Sequence, residues 1–245
     1  MRRRRIDQLI NSAVAFIPAR GNSKRIPQKN IREFCGKPMI AHSILAAQNS
    51  GVFDQIIVST DSPDIAEIAE DYGAICPFLR PNELSDDHTP TAPVIEHGLK
   101  ELAKLGTSPD YLCCIYATAP LIQVEDLRAG FDLIRKHKAK SVFSVTTFAF
   151  PIFRALKMGT DGTLSLFWPE HELTRSQDLP EAYHDAGQFY WIECERFRTL
   201  PQVYSPDSLP VILPRFRVQD IDTLEDWARA EMIFRVLENS EKEDS

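Results

Sequence analysis

Short apolar runs alternate with amphipathic helical patterns along the sequence, and this alternation constrains the fold more than any other feature. Residues 13–17 are continuously apolar and stop at Pro18, which is typical of a buried parallel strand that leads into a loop. Residues 38–50 carry apolar side chains at helical spacing, and Gly51 follows as a stop signal. A second β-type run covers residues 55–59. This succession of strand, helix and strand is that of a parallel βαβ unit.

The same rhythm continues to residue 147. Further strands are predicted at residues 74–78, 111–117 and 141–147, and further helices at 61–73, 94–105 and 124–137. This pattern predicts an α/β fold in which helices cover both faces of a mainly parallel sheet. Because no internal repeat and no linker rich in Gly or Ser interrupts the sequence, we expect a single domain over residues 13–237.

The rhythm changes after Phe150. Proline and glycine divide residues 151–180 into short segments without helical periodicity, which is the pattern of an inserted hairpin or arm. The stretch carries large apolar side chains but is too irregular to build a core of its own, so we expect it to bury them against a second subunit. Strands at residues 187–192 and 211–213 and a final amphipathic helix at 223–237 follow.

Composition narrows the class of protein. With a net charge of −7, the chain lacks the overall positive field of many nucleic-acid binders, and it has no apolar run long enough for a membrane helix. Residues 1–12 form a basic leader too polar for a signal peptide, residues 238–245 form a polar tail, and we expect both to be flexible. Five cysteines without a C-x-x-C pair are typical of reduced structural thiols. We therefore expect a cytoplasmic protein with neither nucleic acid nor membrane as a partner.

A cluster of cations follows the first predicted strand, at the sheet edge where open α/β folds bind ligands. Arg20, Lys24, Arg25 and Lys29 occur close together in an acidic protein, beside Gly21 and small polar residues whose backbone N–H groups can approach an anion. Neither the G-x-x-x-x-G-K-[ST] loop nor the G-x-G-x-x-G fingerprint is present. From these residues alone, a polyphosphate site and a solvated basic loop are both open interpretations.

Two carboxylates near the end of the chain form a second candidate site. In an extended segment, Asp220 and Asp222 point the same way while Ile221 faces the core. Such a pair suits Mg²⁺, which takes oxygen ligands and shares them with substrate phosphates. The alternative is that Asp222 caps the helix that begins at Thr223 and Asp220 is simply exposed.

The two stretches together resemble the CMP-sialic acid synthetases, also called acylneuraminate cytidylyltransferases. The opening motif is Ile17-Pro18-Ala19-Arg20-Gly21-Asn22-Ser23-Lys24-Arg25, followed by Lys29-Asn30-Ile31. Further matches, in the family's order, are Val58-Ser59-Thr60-Asp61, Leu79-Arg80-Pro81, Ala117-Thr118-Ala119-Pro120-Leu121 and Asp220-Ile221-Asp222-Thr223. The resemblance implies a Rossmann-like α/β fold of the nucleotide-diphospho-sugar transferase type and a homodimer, with residues 151–180 as the dimerisation arm.

The resemblance also implies a reaction, in which CMP is transferred from CTP to the anomeric hydroxyl of a nonulosonic acid and pyrophosphate is released. Arg20 and Lys29 would be the catalytic residues that hold the triphosphate, and Asp220 and Asp222 would bind the cofactor Mg²⁺. Attack develops charge on the α-phosphate and then on the leaving pyrophosphate, which fixed cations and a metal stabilise. The implied nucleotide-binding residues are Ala19, Arg20, Gly21, Asn22, Ser23, Lys29, Asn30, Arg80 and Thr91.

On the sugar side the sequence departs from the sialic acid enzymes. Tyr116 stands where they usually have Gln, and His184 where they tend to have Arg, whose permanent charge an imidazole does not replace. These differences resemble the pseudaminic acid cytidylyltransferase branch, whose sugar is a deoxygenated diacetamido relative of sialic acid, and they imply a role in glycan biosynthesis such as flagellin glycosylation. The implied sugar-binding residues are Tyr116, Thr118, Arg175, His184 and Gln188.

Several alternatives stay open at this point. The sugar is sialic or legionaminic acid in two of them, and the eight-carbon acid of lipopolysaccharide in a third, which the Lys29-Asn30 pair fits poorly. A catalytically silent sugar-nucleotide-binding protein is an alternative of another class, because a fold alone does not establish activity. Arg175 could reach the sugar carboxylate from a partner chain or be anchored by a local acid such as Glu172.

Overall fold

The computed structural model describes residues 12–243, and a six-stranded sheet forms its centre. The strands are β1 (Ala13–Pro18), β2 (Glu33–Phe34), β3 (Lys37–Pro38), β4 (Gln55–Ser59), β5 (Tyr111–Ile115), β6 (Ser141–Thr147), β7 (Leu156–Met158), β8 (Leu164–Leu166), β9 (Tyr183–Glu193) and β10 (Ser208–Ile212). The helices are α1 (Met39–Ser50), α2 (Pro63–Asp71), α3 (Thr91–Lys104), α4 (Val124–His137), α5 (Cys194–Thr199) and α6 (Leu224–Glu243).

The order of strands in the central sheet is β10-β6-β9-β5-β1-β4. β10 pairs with β6 in parallel, as β1 does with β4 and β5, whereas β9 runs antiparallel to both of its neighbours. The carboxyl ends of five strands and the amino end of β9 therefore lie at one edge of the sheet. The expectation of an α/β fold with a mainly parallel sheet flanked by helices is confirmed.

Two apolar layers cover the sheet, one on each face. Ala15 and Ile17 of β1 pack with Ile44 of α1 and Phe131 of α4 on one face. On the other face, Phe16 of β1 packs into a layer formed mainly by α3, β5 and α5. Because successive side chains of a strand point to opposite faces, the fully apolar run of β1 is what a strand covered on both sides requires.

Residues 74–78 do not form the predicted third strand. The segment makes one isolated parallel bridge to β4, between Ile75 and Ile57, and a second bridge joins the residues just beyond each, Leu79 and Thr60. Pro77 has no N–H to offer a ladder, and the segment lies at the edge beyond β4, where Ile75 is about half exposed. The prediction of a strand here is wrong because an apolar run does not reveal how many of its backbone groups find partners.

The ends of the chain differ from the sequence-based expectation. α6 runs to Glu243 instead of ending at residue 237, so the tail expected at 238–245 is helical as far as the structure describes it. Residues 238–243 contain no Gly or Pro to stop the helix. The predicted basic leader lies outside the described residues except for Ser12. Between residues 12 and 243, no helix is long and apolar enough to cross a membrane.

Residues 151–180 form an arm that contributes no strand to the central sheet. β7 and β8 pair as an antiparallel hairpin within it. The hairpin side chains Leu156, Met158 and Leu164 are each more than half exposed, and Leu173 is 94% exposed. The arm therefore presents an apolar surface that this single chain does not cover.

Candidate active site

A cleft of about 600 Å³ opens at the carboxyl ends of β1 and β5. The residues that line it come from the loop after β1, the segment 80–94, the residues after β5 and the segment before α6. They are Pro18, Arg20, Ser23, Lys24, Arg25, Ile26, Lys29, Asn30, Arg80, Leu84, Asp86, Asp87, Thr89, Thr91, Val94, Tyr116, Ala117, Thr118 and Asp220. The cleft thus lies where ligands bind in open α/β sheets.

The loop after β1 is fixed by its own side chains and by the neighbouring turn. Asn30 is buried and donates a hydrogen bond from Nδ2 to the carbonyl oxygen of Arg20 at 2.8 Å. The Gly21 N–H donates to Asp61 Oδ1 at 2.8 Å. A Cβ on Gly21 would stand 2.9 Å from the Cβ of Ser62, so only glycine permits this close approach. The loop is therefore held in one conformation before any ligand arrives.

A small apolar cluster joins this loop to the segment before α6. Ile26 of the loop and Ile221 are both almost fully buried, and they pack in one cluster with Phe34 and with Trp227 of α6. As predicted, Ile221 faces the core between Asp220 and Asp222. The cluster explains how residues from the two ends of the chain come to share one cleft.

Two carboxylates pair with all four cations of the loop. Asp87 contacts Arg20 at 2.5 Å and Lys24 at 2.6 Å, and it does so through different carboxylate oxygens. Asp222 pairs in the same way with Arg25 at 2.5 Å and with Lys29 at 3.6 Å. Arg20 also donates to the carbonyl oxygen of Asp86 at 2.9 Å. In this state each of the two carboxylates is shared by two cations of the loop.

Lys29 is the most enclosed of the four cations. Its side chain is 17% exposed, against 71% for Lys24, and its Nζ donates to the carbonyl oxygen of Ile221 at 2.5 Å. Burial lowers the pKa of Lys29 below its usual value, although the nearby Asp222 and Asp220 oppose this effect. A cation held this way cannot turn away into solvent, so its charge has a fixed position.

Asp220 and Asp222 have the donor chemistry of a magnesium site. Desolvation, and then the neighbouring charge of Asp222, raise the pKa of Asp220, which shows that the two carboxylates lie close enough to repel each other. The described part of the chain contains no cluster of three or more His, Cys, Asp or Glu residues suited to a metal. Two carboxylates fit Mg²⁺ that takes its remaining ligands from phosphate oxygens and water.

Asp222 does not cap the last helix. The cap is reciprocal: the Thr223 N–H donates to Asp226 Oδ2 at 2.8 Å, and the Asp226 N–H donates to Thr223 Oγ1 at 3.2 Å. Asp226 also accepts from the N–H of Asp222. The carboxylate of Asp222 instead pairs with Arg25 and Lys29, two cations that line the cleft, and the alternative of a helix cap at Asp222 is wrong.

The opposite wall of the cleft contains Arg80, Thr91 and Tyr116. Arg80 is buried, and its Nε donates to Ser85 Oγ at 3.0 Å. The hydroxyls of Thr91 and Tyr116 are hydrogen-bonded at 2.9 Å. This wall contributes one buried guanidinium, that of Arg80, and two hydroxyls, so it carries less positive charge than the loop.

Six residues of the expected sets, besides Asp222, do not line the cleft of the single chain. Ala19 is buried beneath the loop, and Gly21 and Asn22 lie on its other side. On β9, His184 packs edge-on against Phe148 with 4.8 Å between ring centroids, while Gln188 is buried with its Nε2 donating to the carbonyl oxygen of Arg217. Their proposed contacts with substrate remain predictions.

Arg175 also lies away from the cleft of its own chain, in the arm. It makes a two-point contact with Asp178, from Nε at 2.6 Å and from Nη2 at 3.1 Å. The local acid is therefore Asp178 rather than Glu172. Its side chain is 71% exposed, so the contact leaves it accessible to a second molecule.

Asp87 is the functional candidate that the sequence did not reveal. It follows Asp86 in a turn that is distant in sequence from the cationic loop, and its pKa is lowered, chiefly by a hydrogen bond from Lys24. The available signal was the acidic pair Asp86-Asp87 itself, which follows closely after the Leu79-Arg80-Pro81 motif. Only the folded chain shows which carboxylate faces which cation.

Comparisons with known proteins place these features in a wider context. A family model described as cytidylyltransferase matches residues 14–205. The pseudaminic acid cytidylyltransferase of Campylobacter jejuni subsp. jejuni serotype O:2 is 40% identical over 227 residues, which cover 93% of this chain and 98% of that protein. The CMP-N,N'-diacetyllegionaminic acid synthase of Legionella pneumophila is 32% identical over 226 residues, which cover 91% of this chain and 96% of that protein.

Solved structures agree with the fold. The structure of a CMP:2-keto-3-deoxy-manno-octonic acid synthetase complexed with CTP is similar to this chain with a TM-score of 0.65 and 17% sequence identity. The match covers 94% of this chain and all of that one. At this level of identity the likeness concerns the fold.

Proposed function

Because the chain belongs to the cytidylyltransferase family, we propose that it transfers CMP from CTP to the anomeric hydroxyl of pseudaminic acid and releases pyrophosphate. The observation that carries this proposal is the cleft in which four cations of one loop face two carboxylates, Asp87 and Asp222. The similarity to pseudaminic acid cytidylyltransferases over nearly the whole chain supports the choice of sugar.

In the proposed reaction, the anomeric oxygen attacks the α-phosphorus of CTP. A new bond forms between that oxygen and phosphorus, the bond from phosphorus to the bridging oxygen breaks, and the proton of the hydroxyl passes to solvent. Arg20 and Lys29 hold the triphosphate and stabilise the negative charge that moves onto pyrophosphate. Before binding, Arg20 is held by Asp86 and Asp87 and Lys29 by Ile221 and Asp222, and the phosphates would take the place of these carboxylates.

Asp220 and Asp222 are the residues that would hold Mg²⁺. When bound, the ion would neutralise charge on the phosphates and orient them. Release of Asp222 from Arg25 and Lys29 would return these two cations to the phosphates. The contacts that neutralise the loop in this structure therefore become contacts to substrate and metal in the proposed complex.

The second wall of the cleft would receive the nucleoside and the sugar. Arg80, Thr91 and Asn30 would seat the nucleotide, and Tyr116 and Thr118 would contact the keto acid. The ring of Tyr116 offers apolar area and one hydroxyl, which suits a sugar with fewer hydroxyl groups than sialic acid. The ring of Tyr116 therefore favours pseudaminic acid over sialic acid, which has more hydroxyl groups.

We further propose that the arm forms a homodimer and that Arg175 meets the sugar carboxylate in the partner's cleft. The exposed apolar side chains of the hairpin support the dimer. Arg175 lies away from the cleft of its own chain, and its side chain is exposed. Both observations support a role across the interface. We also propose a cytoplasmic enzyme of glycan biosynthesis, a location supported by five cysteines that are all free thiols.

The experiment that tests the function measures pyrophosphate release from CTP with Mg²⁺ and a panel of nonulosonic acids. We expect release with pseudaminic acid and much slower release with N-acetylneuraminic and legionaminic acid. Faster release with either of the other acids would overturn the assignment of the sugar. Binding of CTP without release for any acid would instead favour a silent sugar-nucleotide-binding protein.

A further inference from the structure

The carboxylate of Asp185, at the amino end of β9, gathers three hydrogen bonds. Its Oδ1 accepts from the N–H of Gly187 at 2.7 Å, and its Oδ2 accepts from the hydroxyl of Tyr190 at 2.6 Å. The hydroxyl of Tyr204 also donates to Oδ2. One carboxylate therefore holds a backbone turn with one oxygen and two tyrosines with the other.

The two halves of this arrangement have separate functions. Gly187 has a φ of +63°, and the hydrogen bond from its N–H to Asp185 stabilises this left-handed turn within β9. The turn does not require a charge, because a side-chain amide oxygen would accept the same bond. Two tyrosine donors on the other oxygen, in contrast, are an arrangement for an ionised carboxylate.

Tyr190 connects Asp185 to the wall of the cleft. It is 3% exposed, and its ring lies 5.3 Å from that of Tyr116 between centroids. The two rings are tilted by 49° against each other. Tyr116 is in turn hydrogen-bonded to Thr91, and both residues line the cleft. Hydrogen bonds at both ends and this ring contact between them therefore connect Asp185 to the substrate-facing surface.

The charge of Asp185 sets the direction of these hydrogen bonds. An ionised carboxylate only accepts, so Tyr190 must use its proton toward Asp185. The hydroxyl of Tyr190 is thereby anchored, and its ring is held against that of Tyr116.

We propose that Asp185 is a positioning residue that holds Tyr190, and through it Tyr116, in the orientation that receives the keto acid. This inference rests on the proposed function, in which Tyr116 contacts the sugar. It assigns to Asp185 a role in sugar selection although its carboxylate does not line the cleft. Tyr204, from the segment after α5, secures the same carboxylate from the outer side.

The substitution Asp185→Asn tests the proposal without removing the turn. The amide oxygen can still accept from Gly187, which places the NH₂ group against Tyr190 and Tyr204 and reverses the required direction of their hydrogen bonds. We expect the KM for pseudaminic acid to rise roughly ten-fold, as for the loss of one orienting hydrogen bond, with the KM for CTP nearly unchanged. Asp207→Asn is a matched control, because Asp207 is an exposed acid paired with Arg196.

A second variant separates positioning from stability. Tyr190→Phe removes the hydroxyl by which Asp185 holds Tyr190 and keeps the ring that contacts Tyr116. If Asp185 acts through Tyr190, the double variant Asp185→Asn/Tyr190→Phe has nearly the same KM for the keto acid as the more affected single variant. A structural role alone would lower the melting temperature and leave the KM unchanged.

The position of Tyr116 is also measured without turnover, in crystal structures of the wild type and of Asp185→Asn. We expect the contact between Tyr116 and Thr91 to be lost in the variant. Retention of that contact together with an unchanged KM for the keto acid would overturn the inference. A wild type that releases no pyrophosphate with any acid would contradict the proposed function, while the structures would still decide whether Asp185 positions Tyr116.

Discussion

The ammonium of Lys29 lies 3.6 Å from the carboxylate of Asp222. The pair links the loop after the first strand to the segment before the last helix, and the apolar contact of Ile26 with the cluster of Ile221 and Trp227 supports it from below. The cationic and acidic halves of the proposed reaction are thus joined directly in the fold. Each half can be tested by a substitution that leaves this apolar support unchanged.

Lys29→Ala should weaken the binding of CTP. Removal of an enclosed cation that contacts phosphate costs about 1.5–3 kcal/mol, which corresponds to roughly ten- to a hundred-fold in affinity. Lys104→Ala is the control, since Lys104 is 69% exposed and pairs only with Glu101 on the surface of α3. Titration calorimetry with CTP measures both variants. Equal effects would identify the loop as a solvated charge cluster.

The pH dependence of kcat/KM for CTP is a second test of the role of Lys29. Burial lowers the pKa of Lys29, and CTP binding requires its charged form, so kcat/KM for CTP should fall on the alkaline side at a pH below the usual lysine range. Lys29→Arg keeps its charge at high pH, so this variant should lose the alkaline decline even if its absolute rate is lower. A decline that is identical in both enzymes would assign it to another group.

Asp222→Asn should lower turnover by about a hundred-fold or more, because the metal would lose a charged ligand. The free energy of unfolding should change little, since Thr223 and Asp226 form the helix cap. Asp226→Ala is the counterpart: it should cost about 1 kcal/mol of stability and reduce turnover far less. Denaturant unfolding and initial rates at saturating Mg²⁺ measure the two effects. Near-normal turnover of Asp222→Asn would reject the metal site.

Asp87→Asn should strengthen CTP binding. In the ligand-free cleft the carboxylate of Asp87 neutralises Arg20 and Lys24, and a triphosphate must replace it. Exposed ion pairs contribute little to stability, so the apparent affinity should rise by about a few-fold at most. A weaker affinity in the variant would show that Asp87 keeps a favourable role when the nucleotide is bound.

Leu164→Asp should convert a dimer into monomers. Leu164 lies on β8 and is 60% exposed, and a carboxylate there would oppose burial of the hairpin against a second copy. Light scattering measures the change. If Arg175 completes the partner's cleft, Arg175→Ala should raise the KM for the keto acid and leave the KM for CTP nearly unchanged. A fully active wild-type monomer would contradict both expectations.

The regular elements could be predicted wherever one local signal decided them. α4 and the strands β4 and β6 have the predicted bounds, because helical spacing or a short β-branched run coincides there with clear ends. The direction of β9 could not be predicted, since an apolar run is the same whether its neighbours are parallel or antiparallel. The prediction of a strand at residues 74–78 was wrong for a related reason. Whether an apolar run joins a sheet depends on the hydrogen-bond partners that its backbone finds, and not on its own residues.

The candidate site, too, could be predicted only in part. The cations after β1 and the pair Asp220 and Asp222 were visible as residue types at suitable spacing. The pairing of Asp87 with Arg20, and the link from Asp185 to Tyr116, depend on chain segments that meet only after folding. The charge pattern therefore located the cations and carboxylates of the site better than it showed which groups neutralise or orient its side chains.

The most direct test of the central claim is the identity of the products. We expect CTP, Mg²⁺ and pseudaminic acid to yield CMP-pseudaminic acid and pyrophosphate in equal amounts, followed by phosphorus NMR and mass spectrometry. The α-phosphorus should appear as a phosphodiester that joins cytidine to the sugar. Pyrophosphate accompanied by free CMP and unchanged pseudaminic acid would show hydrolysis instead of transfer, and would contradict the account.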